Sequence, residues 1–150
     1  MPAHLETTVD KLIFRVAQDR LYSRDGVWAL PEEGDRVRLG LTDFVQQRNG
    51  DVAFADVKPA GTDLAVGDEL AAVETIKVVF SVSSPVAGSI VEVNPALEPA
   101  PEAINSDPYG AGWLAVVAAP SFEDTRAALL DPEAYLAHMK AEAEEEARKV

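Results

Sequence analysis

A mainly β domain, with two small sheets packed as a sandwich or flattened barrel, is the fold class this sequence predicts, and three features predict it. Short runs of strand-forming residues recur between Gly- and Pro-containing turns from Leu12 to Ala118. Within them, Arg36-Val37-Arg38-Leu39-Gly40-Leu41 alternates polar and apolar residues, the period of a half-buried strand. After Pro120 the pattern changes to helix formers at helical spacing.

The polar opening, residues 1–11, predicts a flexible N-terminus. Leu12 to Val16 reads as a strand, Ser23 to Gly26 as a turn, and Trp28 to Leu30 as the next strand. Pro31 to Asp35 turns the chain into the alternating run 36–41. Thr42-Asp43 can cap a short helix, 43–48, which Asn49-Gly50 closes. Strands then follow over Val52–Val57, Leu70–Ile76, Val78–Val82, Ser89–Val93 and Gly112–Ala118. Between them lie turns at Gly61–Asp63, Val66–Asp68 and Pro85–Gly88, and a long loop from Asn94 to Gly110. Helices are expected over 122–129, with Ser121 and Asp124 as an approximate capping box, and over 132–145 after Asp131-Pro132-Glu133. Tyr135, Leu136 and Met139 share one face of the last helix and dock it on the sheets. Beyond Lys140 the apolar stripe thins to alanines, which predicts a frayed end. The division is therefore a domain over 12–120 with a packed helical extension, 121–150.

Composition removes several function classes. The 150 residues are 47% apolar and 7% aromatic, so an aliphatic core is expected. No apolar run approaches the roughly 18 residues of a membrane helix, and the first ten residues lack a secretory pattern; both predict a cytoplasmic protein with no membrane role. Cysteine is absent, which removes disulfides, thiolate metal sites and cysteine nucleophiles. Any sulfur or redox chemistry must come from something attached to the chain. The net charge of −13, from 26 acidic against 13 basic residues, argues against nucleic acid as a partner. Glu142–Glu146 supplies part of it and reads as a solvated helix face. His4 and His138 are expected to have no partner at metal-ligand spacing. No nucleophile elbow or glycine-rich phosphate loop is present. The residues describe a binding or carrier module, not an enzyme.

Lys77 is the informative position. In Glu74-Thr75-Ile76-Lys77-Val78-Val79-Phe80 it stands between strand formers on both sides, as a hairpin tip would. Gly67 and Gly88 bracket it almost evenly, suggesting two similar strand-turn units. From spacing alone, an ordinary surface lysine between two strands remains the simpler reading.

Longer motifs add a resemblance. Val73-Glu74-Thr75-Ile76-Lys77 is similar to the lipoylation motif of glycine-cleavage H proteins, where a Glu stands three positions before the modified Lys. Ser84-Pro85-Val86-Ala87-Gly88 and Val91-Glu92-Val93-Asn94 also resemble that family, as does the run Asn105-Ser106-Asp107-Pro108-Tyr109-Gly110 with Gly112-Trp113 after it. Upstream, Leu39 to Phe44 and Gly50 to Phe54 match in order, and Leu130 to Tyr135 resembles the closing helix. The resemblance implies a barrel-sandwich hybrid of the lipoyl-domain type and a lipoate amide-linked to Lys77, with Glu74 as a recognition element for the attaching enzyme. It further implies a non-catalytic carrier. Its partners would be lipoate-attaching enzymes, dihydrolipoamide dehydrogenase, and either glycine cleavage enzymes or a heterodisulfide-reductase-like complex. Biotin carriers and 2-oxoacid dehydrogenase lipoyl domains fit less well, because Ile76 and Val78 flank the lysine and the Asn-Ser-Asp-Pro-Tyr-Gly block is present.

Departures from the H-protein pattern cluster in two places. Asp25-Gly26-Val27-Trp28 lacks the usual His and Glu before Trp, and Thr75-Ile76-Lys77-Val78 and Phe80-Ser81-Val82-Ser83 replace the usual residues around the lysine. These departures resemble the lipoate-binding proteins of heterodisulfide-reductase-like sulfur oxidation, which implies sulfur intermediates as cargo. The alternatives are an H protein carrying the aminomethyl group of glycine cleavage, and an interaction module that is never modified.

Overall fold

Alternating side chains from several strands meet in a single core, mostly aliphatic as expected, but its largest fully buried side chains are the rings of Trp28, Tyr22 and Tyr135. The computed structural model describes residues 3–149. In order, the chain forms β1 (His4–Val9), β2 (Leu12–Ala17), β3 (Leu21–Tyr22), β4 (Val27–Pro31), β5 (Arg36–Leu41), α1 (Asp43–Asn49), β6 (Val52–Val57) and β7 (Asp63–Leu64). It continues through β8 (Glu69–Thr75), β9 (Val79–Ser83), β10 (Gly88–Val93), α2 (Ala103–Ser106), β11 (Ala115–Ala118), α3 (Phe122–Arg126) and α4 (Pro132–Arg148). One sheet has six strands in the order β3-β4-β5-β11-β10-β7, and a second has three in the order β6-β8-β9. Val37, Leu39, Ile90 and Val117 of the first sheet and Leu70, Val73 and Val82 of the second all belong to one buried cluster. This is the expected mainly β architecture. Among the described residues, no helix is long and apolar enough to cross a membrane.

The N-terminus corrects the expectation of a flexible segment. Met1 and Pro2 lie outside the described residues, but His4–Val9 pairs antiparallel with Leu12–Ala17 in a separate hairpin. Its turn, Asp10-Lys11, holds both residues at positive φ, the conformation that two-residue hairpin loops demand. Distant groups pin the hairpin. The Arg15 amide donates to Asp43 Oδ2 at 2.9 Å, Gln47 Nε2 donates to the Ile13 carbonyl at 2.9 Å, and Tyr109 Oη donates to the Arg15 carbonyl at 2.7 Å. Buried Val9, Phe14 and Val16 add apolar anchorage.

The C-terminus differs in the same direction. Instead of fraying after Lys140, α4 continues to Arg148. Arg48 pairs with both Glu142 and Glu146, and Ala143 is buried, so the thin alanine stripe still packs. The expected docking face is present: Tyr135 and Met139 are buried, and the Tyr135 ring stacks on Tyr22 at 4.6 Å. Asp131 caps the helix by accepting from the Ala134 amide at 2.8 Å. The expected Ser121 cap makes no side-chain bond, and α3 stops at Arg126, short of 129.

Three further differences have local causes. The two-residue strands β3 and β7 are too short to show a period in sequence. Helix α2 occupies part of the expected loop 94–110. The last strand begins at Ala115 and not at Gly112, because the Gly110 and Gly112 amides both turn back to the Asp107 carbonyl.

Candidate functional site

Antiparallel pairing of β8 with β9 leaves Ile76, Lys77 and Val78 as the tip of a hairpin. Along β8, Ala71, Val73 and Thr75 face the core while Glu74 is exposed. That phase puts the Thr75 side chain under the turn, almost fully buried. Its Oγ1 accepts from the amides of Lys77 and Val78, each at 3.1 Å, and donates to the Val78 carbonyl at 3.2 Å. The Thr75 amide also donates to that carbonyl at 2.8 Å. A short side chain thus fixes the turn and holds Lys77 outward.

The lysine leans in a defined direction. Its stem crosses the end of α1, where a Cβ on Gly50 would stand 3.0 Å from Lys77 Cδ. Gly50 has φ +87°, a left-handed value that glycine adopts without strain. Lys77 Nζ donates to the Arg48 carbonyl at 3.3 Å. That carbonyl belongs to the last turn of α1, where the helix dipole favours a cation. Among the described residues Lys77 has no carboxylate partner, so its amine is held by one exchangeable bond and stays open to a modifying enzyme.

The seat beneath the tip is fixed by Asn105. Its amide nitrogen donates to Gln46 Oε1 at 3.1 Å and to the Gly50 carbonyl at 3.0 Å, and its Oδ1 accepts from the Val52 amide at 2.8 Å. The Ile76 amide then donates to the Asp51 carbonyl at 3.1 Å, joining the tip to this seat. Trp28 Nε1 donates to the Pro108 carbonyl at 3.0 Å, and buried Arg20 lies over the Trp28 ring at 4.5 Å and donates to the Tyr109 carbonyl.

Glu74 stands in a row across the three-stranded sheet, in register with Phe54 on one side and Val79 on the other. All three are exposed, and Ile76 at the tip is 75% exposed. Phe54, Ile76 and Val79 thus leave large apolar side chains uncovered around one lysine. Sequence reading singled out Lys77 and Glu74 and did not single out Thr75, Gly50, Asn105, Phe54 or Val79, which the structure places around them. Gly50 and Asn105 carried a usable signal, since both lie in the motif blocks; the cross-strand row had none.

Lys58 and the two glycines that bracket Lys77 serve the fold. Lys58 pairs with Glu69 at 3.4 Å. Gly67 has φ +93° in its turn, and a Cβ on Gly88 would run into the Ala118 carbonyl oxygen. The expectation that His138 lacks an acidic partner is corrected: Glu142, one helical turn on, pairs with it at 2.7 Å. Among the described residues, no group of three or more His, Asp or Glu side chains could hold a metal.

Residues 20–142 match the family model described as glycine cleavage H-protein. The chain belongs to the glycine cleavage H-protein family. It is 41% identical over 128 residues to a glycine cleavage system H protein of Thermus thermophilus, covering 85% of this chain and 98% of that protein. It is 37% identical over 127 residues to a probable glycine cleavage system H protein of Pyrococcus horikoshii, covering 85% and 94%. The crystal structure of a glycine cleavage system H protein from Mycobacterium marinum superposes with TM-score 0.68 and 33% identity, over 80% of this chain and 95% of that one. The fold is therefore that of the H proteins, which carry a covalently attached lipoate. These relatives bear the glycine-cleavage name, so they favour the alternative drawn above over the sulfur-carrier expectation, which nothing in these comparisons supports.

Proposed function

We propose that the protein is a glycine cleavage H protein whose lipoate is amide-linked to Lys77, and that it acts as a non-catalytic carrier between enzymes. One observation carries the reading: within a chain of this family, Lys77 sits at the exposed tip of a hairpin, and among the described residues its amine bonds only to a backbone carbonyl. When bound, lipoate supplies two sulfurs that can cycle between disulfide and dithiol and carry an aminomethyl cargo, chemistry for which the chain, without cysteine, has no thiol of its own.

The chain's own residues present and orient the attachment point. Thr75 fixes the turn, Gly50 leaves room for the lysine stem, and the Arg48 carbonyl orients the amine. Glu74 serves as a recognition element for the attaching enzyme, because it stands exposed beside the tip between Phe54 and Val79. The same apolar row suits successive docking on lipoate-attaching enzymes, the glycine cleavage enzymes and dihydrolipoamide dehydrogenase. Tethering makes each transfer effectively intramolecular, which raises the local concentration of the reacting group.

Intact mass tests the attachment. Protein treated with lipoate, ATP and a lipoate ligase should gain one lipoyl group, and Lys77→Arg should gain none. Modification of Lys58 in place of Lys77, or of no lysine, would overturn the assignment. Reconstitution with glycine cleavage enzymes then tests the cargo. Exchange of bicarbonate into glycine at a rate comparable to an established H protein supports the reading, and its absence with fully lipoylated protein counts against it.

A further inference from the structure

The β1–β2 hairpin lies outside residues 20–142, the span that the family model matches. Leu12, Phe14 and Val16 alternate along β2 and so share one face. Phe14 and Val16 are buried, whereas Leu12, at the tip, is 53% exposed. The tip is not a loose loop. Val9 pairs with Leu12 directly beside the turn Asp10-Lys11, and both turn residues hold positive φ. Leu12 is therefore a large apolar side chain left half uncovered on a defined support.

That support stands next to Lys77. Leu12 and Lys77 line one recess of about 310 Å³, together with Asp10, Phe44, Ala143 and Glu146 among others. Consecutive residues of α1 hold its two sides: the Gln47 amide donates to the Ile13 carbonyl at 2.9 Å, and the Arg48 carbonyl accepts from Lys77 Nζ at 3.3 Å. The chemistry at the lysine says which partner must meet both. Before attachment the reacting atom is Nζ itself, about five bonds from the backbone, so an acylating enzyme has to bring its active site into contact with the tip. After attachment the lipoyl sulfurs stand about seven bonds further out, so the enzymes that act on them can stay clear of the recess.

We propose that Leu12 is a docking residue for the enzyme that attaches the lipoyl group, and that the β1–β2 hairpin extends the surface by which that enzyme recognises this carrier. The proposal rests on Lys77 being the attachment point. An enzyme side chain that covers Leu12 removes apolar surface from water on both partners. Asp10 lines the recess beside Leu12, and Glu74 is exposed beside the lysine, so the matching enzyme surface is apolar against Leu12 and basic around it. The hairpin thereby contributes to the choice of lysine as well as to the fold.

The test measures lipoylation kinetics of the full-length protein with lipoate, ATP and a lipoate ligase. Intact mass and peptide mapping of the wild type come first: if Lys77 gains no lipoyl group, the attachment reading fails and the docking residue falls with it. With attachment confirmed, Leu12→Asp should raise KM for the carrier so that kcat/KM falls about tenfold, with kcat little changed, because docking and not acyl transfer is impaired. Leu12→Met, which keeps the apolar surface, should stay close to wild type. Val66→Asp, similarly exposed but on the turn at the opposite end of β8 from Lys77, should also behave as wild type. Leu12 is half exposed, so its variants should fold, which unchanged circular dichroism and Tm would show. Once driven to full lipoylation, Leu12→Asp should support bicarbonate exchange into glycine at the wild-type rate. Equal kcat/KM in wild type and Leu12→Asp, or the same fall in Val66→Asp, would overturn the docking role while leaving the attachment intact. A loss in the exchange assay as large as that in lipoylation would overturn the assignment to the attaching enzyme and give the hairpin to the later ones.

Discussion

Replacing Thr75 by valine removes one hydroxyl and keeps the side-chain shape. The structure gives that hydroxyl three hydrogen bonds: it accepts from the Lys77 and Val78 amides and donates to the Val78 carbonyl. Such bonds contribute about 0.5–1.5 kcal/mol each. The amides lie at an exposed tip where water can replace the lost acceptor, so the low end applies and the total is about 1.5 kcal/mol. For a domain of this size, 1 kcal/mol moves Tm by about 2–4 °C, so Thr75→Val should melt about 3–6 °C lower. Because the backbone bond from Thr75 to Val78 survives, the hairpin persists with a loosened tip. Lipoate ligase should then modify Lys77 several-fold more slowly, since a mobile lysine is in the reactive orientation for less of the time. Thr75→Ser, which keeps the hydroxyl, should retain most of the wild-type rate. Thermal melts and a time course of intact mass read both effects. A Thr75→Val protein with wild-type Tm and wild-type lipoylation would refute the reasoning and leave the turn to its backbone alone.

Gly50→Ala should cost about 1–2 kcal/mol, because φ +87° is unfavourable with a Cβ and that Cβ presses on the Lys77 stem. A urea midpoint unchanged from wild type would show that the loop relaxes without penalty. At high pH the buried tyrosines govern stability. Burial pushes the hydroxyls of Tyr22, Tyr109 and Tyr135 well above their ordinary value of 10.0. Above about pH 10 the unfolded chain therefore loses tyrosyl protons that the folded one retains, so stability is full below that pH and falls as pH rises. Tyrosinate absorbance should appear together with loss of the β-sheet signal. Titration of these tyrosines near their ordinary value in a still-folded protein would contradict the packing described here.

The amino-acid sequence by itself determined the elements whose boundaries are written in neighbouring residues. Strands 36–41 and 52–57 appear where alternation and flanking turns place them, and α1 starts at its Thr42 cap and closes at Gly50. Lys77 at a hairpin tip was legible only in part: strand formers on both sides allow a turn there, but they equally allow a solvent-facing strand position such as that of Arg38, and the longer motif blocks were needed to single it out. Tertiary structure alone decided what depends on partners far along the chain. The opening strand looks too polar to hold, yet Asp43, Gln47 and Tyr109 satisfy the hairpin's backbone and side chains of its second strand bury. The last turns of α4 look too poor in apolar residues to pack, yet Arg48 supplies the partner that Glu142 and Glu146 need. The row of Phe54, Glu74 and Val79 exists only once strand register is set, and the recess beside Lys77 only once both chain ends fold against α1. Periodicity reports the environment of a residue relative to its neighbours along the chain. It carries no information on which distant backbone group will meet a side chain, and that is the information these features required.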